Sequence, residues 1–150
     1  METETMPIYA NFRKNLTTGE TYKILFKCIL ESTLEKCVAY ASSKDNYERV
    51  IVKKSEDLNK ESLGEIYTDR APDLPITIAE NYLHLKTNGY YCLLYIGVLL
   101  SESTSMPVAI YMGLDGLSES PKIWVRDLNE FNDGRFGKLV LTLASINAEQ

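Results

Sequence analysis

Thr21-Tyr22-Lys23-Ile24-Leu25-Phe26-Lys27-Cys28-Ile29-Leu30 follows the turn signal Thr17-Thr18-Gly19 and is rich in β-branched and aromatic residues, so it predicts a strand. Glu31-Ser32-Thr33 is short and polar, and Leu34 to Ala41 reads as the returning strand of a β-hairpin. If the hairpin is symmetric about Ser32 and Thr33, Cys28 falls opposite Cys37. The same text then recurs. Glu31-Ser32-Thr33 and Tyr40 return seventy-one positions later as Glu102-Ser103-Thr104 and Tyr111. Ile8, Asn11, Phe12 and Gly19 return at an offset of seventy as Ile78, Asn81, Tyr82 and Gly89. A near-constant offset with one shift is the pattern a duplicated module with a single insertion leaves.

Working outward, Glu48 to Lys54 predicts a third strand after the turn Ser43-Lys44-Asp45-Asn46. The second half runs in parallel: Tyr90 to Leu100, a turn over Ser101 to Ser105, then Val108 to Met112. A loop at Asp115-Gly116 precedes Ile123-Trp124-Val125-Arg126, and Asp133-Gly134 leads into a last strand over Lys138 to Leu143. Between the halves, Glu56 to Tyr67 has the spacing of a short helix through Leu58, Leu63 and Ile66, weakened by Gly64. Asp69 to Pro75 carries two prolines and reads as an extended turn. The expected organisation is therefore mainly β, with a first unit and connector over 1–70 and a second unit over 71–150. Short turns between strands point to small barrels or strongly bent sheets. Each half is near the lower size limit for a self-sufficient core, so a shared apolar interface is expected.

Hydrophobic content of 45% and charged content of 25% are those of a folded soluble chain rather than a disordered one. The net charge of −5 disfavours a general nucleic-acid binder, which needs clustered Lys and Arg. Residues 1–70 hold 12 acidic and 11 basic side chains, and residues 71–150 hold nine and five, so the first half is denser in mixed charge. Cys28, Cys37 and Cys92 leave one thiol unpaired whatever the pairing, which favours a reducing compartment. Met1-Glu2-Thr3-Glu4-Thr5 lacks the basic and apolar regions of a signal peptide, and the run Tyr90 to Leu100 is too short for a membrane span. These features predict a cytoplasmic protein that does not engage a membrane.

The chain resembles the small bacterial and phage proteins grouped as the domain of unknown function 1653 family. The resemblance rests on Ile8-Tyr9, Phe12-Arg13, Tyr22-Lys23-Ile24-Leu25 and Thr33 to Tyr40 at the front. At the back it rests on Thr104, Val108, Tyr111, Ile123-Trp124-Val125-Arg126, Phe131 and Asp133-Gly134-Arg135-Phe136. Leu30 and Ser101 stand where the family carries a His, and Ile51-Val52-Lys53 stands in the first half where the family reads Trp-Val-Arg. One family domain split by an insertion is the other arrangement these matches allow, but the offset favours two diverged copies. The resemblance implies SH3-like barrels and a phage or bacterial origin, and it implies no activity.

Chemistry-bearing motifs are sparse. His84 is the only histidine, and with Cys92 it falls short of a zinc ligand set, so it reads as a polar loop residue. Gly113-x-x-Gly116 lacks the Lys of a phosphate loop, and no Ser, His and Asp order suggests a nucleophile with its base. No cofactor or metal is expected. Trp124 and Arg126 project to one face of their strand, which suits stacking or anchoring a partner. The competing arrangement has Trp124 filling the core and Arg126 pairing with Asp127 or Glu130. Tyr22, Tyr40, Tyr91 and Tyr111 read as packing residues, while Tyr9, Tyr47, Tyr67 and Tyr82 lie nearer loops and ends. The leading expectation is a non-enzymatic module that binds a host or bacterial protein through Trp124, Arg126, Phe131 and Tyr111. Given the resemblance, a phage-encoded factor that modulates a host-defence complex is the specific form. The alternative is a small-ligand binder, for a nucleotide, with its pocket between the units. Further homo-oligomerisation stays open, because exposed strand edges can pair.

Overall fold

Two runs of the chain make the same sequence of elements. The computed structural model describes residues 8–71, 77–102, 104–114 and 122–139. The first half contains β1 (Tyr9–Lys14), β2 (Thr21–Leu30), β3 (Lys36–Ser42), β4 (Ile51–Lys54), α1 (Ser55–Asn59) and β5 (Tyr67–Arg70). The second contains β6 (Glu80–His84), β7 (Tyr90–Ser101), β8 (Thr104–Gly113), β9 (Ile123–Asp127), α2 (Leu128–Phe131) and β10 (Phe136–Lys138). The mainly β expectation holds, and the strands form one mixed sheet.

Pairing repeats as well. Within the halves the neighbours run β5-β1-β2-β3-β4 and β10-β6-β7-β8-β9, all antiparallel. β2 is bulged between Ile24 and Phe26, and β7 between Leu93 and Tyr95. A bulge bends a strand, which lets each serve one partner at its start and others further on. The expected hairpin register is present, with Cys28 opposite Cys37. Ile51 faces Tyr40 as Trp124 faces Tyr111, so Ile51-Val52-Lys53 does occupy the Trp-Val-Arg position.

Two parallel pairs join the halves. β4 sets Ile51 and Val52 beside Val98 and Leu99 of β7, and β9 sets Trp124 and Val125 beside Ile29 and Leu30 of β2. The two seams are reciprocal: each joins the fourth strand of one half to the second strand of the other. The strands β2, β3, β4, β7, β8 and β9 thereby close into a ring.

Strand alternation distributes the apolar residues over three clusters. Cys28, Leu30, Cys37, Ala39, Val50, Val52, Leu99, Val108, Ile110 and Val125 form a cluster drawn from both halves, the shared interface expected for two small units. Tyr22, Tyr40, Ile51 and Leu58 form a cluster in the first half, against which Leu100 of the second half also packs. Leu93, Ala109, Tyr111, Phe131 and Phe136 form its counterpart in the second.

Several expectations are corrected. The helix over Glu56 to Tyr67 is limited to Ser55–Asn59, and Tyr67–Arg70 is a strand instead. The backbone beyond α1 is tied to the end of β1: Leu16 N–H donates to Ser62 O, and Gly64 N–H to Lys14 O. The strand expected from Glu48 begins at Ile51, and the last described strand is Phe136–Lys138; of the strand expected over Lys138–Leu143, residues 140–143 lie outside the described residues. The proline-bearing turn at 72–75 and the Asp115-Gly116 loop also lie outside them. Strands β1, β5 and β6 were not anticipated. The identity of Gly19 with Gly89 is off by one in space. Gly19, at φ +80°, donates its N–H to Asn15 O, and the same place in the second turn is taken by Asn88, at φ 60°, which donates to His84 O. Asparagine tolerates this left-handed backbone better than other side chains.

Gly97 tests the β4–β7 seam. A Cβ there would lie 2.6 Å from the Val50 carbonyl oxygen and 3.3 Å from Ile110 Cδ1. The oxygen is backbone and accepts the Val98 N–H at 3.0 Å, so it has nowhere to move. Gly97→Ala is expected to cost about 1–3 kcal/mol through forced strand separation. Gly113→Ala, whose Cβ would meet nothing closer than a Tyr91 ring carbon at 3.8 Å, is expected to stay within about 0.5 kcal/mol. Urea midpoints of the two variants measure the difference, and equal midpoints would show that the seam is not closely packed.

Candidate functional site

Val125 is fully buried in the shared cluster, so its neighbours Trp124 and Arg126 point to the opposite face of β9. There Arg126 is almost wholly enclosed. Its Nε donates to the Tyr111 hydroxyl at 3.1 Å, its Nη2 lies 3.0 Å from Glu31, and its Nη1 lies 3.4 Å from Glu130. The guanidinium also sits over the Phe136 ring, 5.6 Å from its centroid. Each direction of the planar fork is used, an arrangement that a lysine would not reproduce. Burial pushes the Tyr111 hydroxyl pKa up, and the Arg126 hydrogen bond opposes that.

These residues floor and wall an open cleft of about 520 Å³. Glu31 and Ser32 of the β2–β3 turn form one side, and Tyr91, Trp124 and Phe136 form aromatic parts of the other. The cleft therefore lies between the halves. Three of the four anticipated residues, Tyr111, Trp124 and Arg126, meet in it. Phe131 does not line it: buried to 2% exposure, it packs against Phe136 at 4.5 Å and Tyr111 at 5.4 Å and supports the floor from below. Trp124 is half-buried and packs on the second-half cluster, so it is neither fully core nor fully free. Arg126 does pair with Glu130, as one arrangement anticipated, but the shorter contact to Glu31 was not foreseen. The repeated Glu-Ser-Thr turn was the available signal, since it marks both hairpin tips. His84 is not in a loop. It lies in β6, edge-on to Phe136 at 4.9 Å, and its Nδ1 meets Thr87 at the following turn.

The first half contains the corresponding frame with different chemistry. Ile51 stands in place of Trp124, Lys53 in place of Arg126 and Leu58 in place of Phe131. Lys53 is paired at 3.0 Å with Glu61, which also accepts from Tyr22 at 2.8 Å and from Asn15 at 3.1 Å. Its cleft is edged by Leu100, Ser101 and Glu102 of the β7–β8 hairpin. Each hairpin tip thus reaches over the cleft of the other half. Burial, followed by the Glu61 hydrogen bond, pushes the Tyr22 hydroxyl pKa up to about 12.

Among the described residues no group of three or more His, Cys, Asp or Glu is placed to hold a metal, and no helix is long and apolar enough to cross a membrane. Comparison with family models, with curated proteins and with solved structures finds no match.

Arg126→Ala leaves the Tyr111 hydroxyl without its Nε donor and takes away the cation shared by Glu31 and Glu130, leaving Glu130 the longer 3.9 Å contact with Arg135. Because both glutamates are partly exposed, the expected cost is about 1–3 kcal/mol, below that of a fully buried pair. Arg126→Lys is expected to fall between that variant and wild type in chemical denaturation; equal stability of all three would show the fork to be idle. A raised tyrosine pKa favours the neutral phenol in the fold. Its contribution is complete below the ordinary value near ~10 and is lost as pH rises through about 12. Wild-type stability should fall over that window, and Tyr22→Phe should flatten the fall when urea midpoints are compared across it.

Proposed function

We propose that the chain is a non-enzymatic binding protein built from two SH3-like units, residues 1–70 and 71–150, that recognises another protein through the face of β9 centred on Trp124. The SH3-like reading is supported by the strand order β5-β1-β2-β3-β4, with a helical turn between the fourth and fifth strands, and by its repetition in β6 to β10. Duplication is supported by the matched bulges and by the reciprocal seams.

The observation that carries the binding reading is the placement of the single tryptophan, half-buried at an open cleft on a closed ring of strands. Tryptophan beside arginine on a rigid element is the composition in which interface energy concentrates. The cleft walls mix aromatic rings with cations and carboxylates, which complements a peptide surface carrying both donors and acceptors. His84, with its ring against Phe136 and its Nδ1 engaged by Thr87, closes a turn rather than serving as a base. In keeping with the resemblance to the domain of unknown function 1653 family, we read the partner as a bacterial host protein, a component of a defence complex being the specific form.

A second reading, a pocket for a small nucleotide-like ligand, is favoured by one observation. The cleft lies between the halves and its volume is that of small-molecule sites. A panel of nucleotides raising the melting temperature would support it, since binding only the folded state stabilises that state. No shift across the panel would remove it.

The protein-binding reading is tested by affinity capture from host cells with wild type and Trp124→Ala, whose fold is checked by circular dichroism. A stoichiometric partner recovered by wild type and weakened about thirtyfold or more by the substitution is expected, the range of a tryptophan hot spot. Equal recovery with both proteins, or recovery of no stoichiometric partner, would overturn it.

A further inference from the structure

Beside Trp124, on the same outer region of the β9–β2 seam, lies a cleft of about 370 Å³ whose lining includes Lys27, Lys36 and Lys122. All three lysines are exposed, and among the described residues no acidic side chain lines the cleft and none forms an ion pair with them. The strand registers explain why they gather. Ile29 faces Lys36 across the hairpin, which places Lys27 and Lys36 at diagonal positions of one face. Ile29 also lies beside Trp124 in parallel register; two residues before Ile29 stands Lys27 in β2, and two before Trp124 stands Lys122, just ahead of β9. Lys122 reaches the tryptophan itself, its Nζ lying 5.9 Å from the ring centroid. Like charges gathered around one cleft repel, and an anion placed among them would be attracted by all three. The crowding stands out on a chain whose net charge is −5, and three other clefts among the described residues mix lysines or arginines with carboxylates.

Resting on the reading of Trp124 as a recognition residue, we infer that the partner presents an acidic peptide segment, with its carboxylates on Lys27, Lys36 and Lys122 and an adjoining apolar side chain against Trp124 and Ile29. The far end of the same face decides between an acidic peptide and a nucleic acid. Beyond Trp124 the surface carries Glu31, Glu130 and Asp133 around Arg126 and Arg135. A continuous phosphate chain running along β9 would meet those carboxylates, whereas a peptide can confine its charges to one end.

Trp124 is the only tryptophan, so its emission reports directly on this face. The full chain is titrated with a short peptide whose glutamates are grouped at one end beside leucine and whose other end is uncharged, with the peptide carrying Gln for each Glu, and with an oligothymidylate of equal charge. The Glu peptide is expected to alter Trp124 emission and to weaken with added salt. The Gln peptide, and the variant combining Lys27→Ala, Lys36→Ala and Lys122→Ala, should each bind at least about tenfold more weakly. The lysines are exposed and repel one another, so the variant should melt no lower than wild type. Equal binding of the Glu and Gln peptides, unchanged binding by the variant, tighter binding of oligothymidylate, or no binding of the Glu peptide would each overturn the inference. The two levels separate in affinity capture. Wild-type recovery by the lysine variant, with Trp124→Ala still defective, removes the acidic segment and leaves the recognition face. Recovery indifferent to Trp124→Ala removes the face itself.

Discussion

The burial of one apolar cluster between the two halves is the interaction on which the rest of the structure depends. Neither half has the length to bury a generous core of its own, and both turn the outer sides of their second, third and fourth strands toward the other. Val52, Val108, Ile110 and Val125 are completely enclosed there. Edge strands would normally flank such a sandwich and expose unpaired backbone. The seams β4–β7 and β9–β2 pair those edges instead, so apolar burial and backbone hydrogen bonding act on the same strands.

The seams are alike in pairing and unlike in closeness. At β4–β7 the chain needs Gly97, because the Val50 carbonyl comes so near. At β9–β2 the corresponding position is Cys28, which lies beside the lysine-lined cleft. Burial, with a smaller effect of Cys37, pushes the Cys28 thiol pKa up to about 12, and the Cys37 thiol is raised by burial too. Both thiols are free and behave as small apolar side chains. The β4–β7 seam is thus tight and the β9–β2 seam open, and the open one adjoins Trp124. The clefts diverge in the same way. Lys53 takes its carboxylate from Glu61 in its own half, while Arg126 takes one from Glu31 across the boundary.

The long hairpins were legible because their strands are dense in β-branched and aromatic residues and bounded by clear turns. The Cys28–Cys37 pairing followed from turn symmetry alone. The repeat was legible too, but its spacing was not. Ile24 and Leu93 are sixty-nine positions apart, Tyr40 and Tyr111 seventy-one, and Ile51 and Trp124 seventy-three, so the offset grows at successive connections. The strands β1, β5 and β6 escaped notice because they are short and supply a single buried residue, Phe12, so they carry little apolar alternation. The excess helix beyond Asn59 failed for a related reason. The spacing of Leu58, Leu63 and Ile66 is helical, yet the backbone of 62–64 bonds to β1. Trp124, Arg126 and Tyr111 were recoverable from strand alternation, whereas Glu31, Lys27, Lys36 and Lys122 gain meaning only once the parallel seam is known.

Reciprocity of the seams also bears on assembly. The edge that β4 offers to β7 is matched by the edge that β9 offers to β2, and both are paired in the folded chain, so only an incompletely folded chain offers them to a second copy. At high protein concentration during folding, a half can therefore complete itself with the opposite half of another chain. Crowded refolding carries a route to intertwined dimers whose local contacts match those of the monomer, and only the connectivity between Arg70 and Glu80 distinguishes the two.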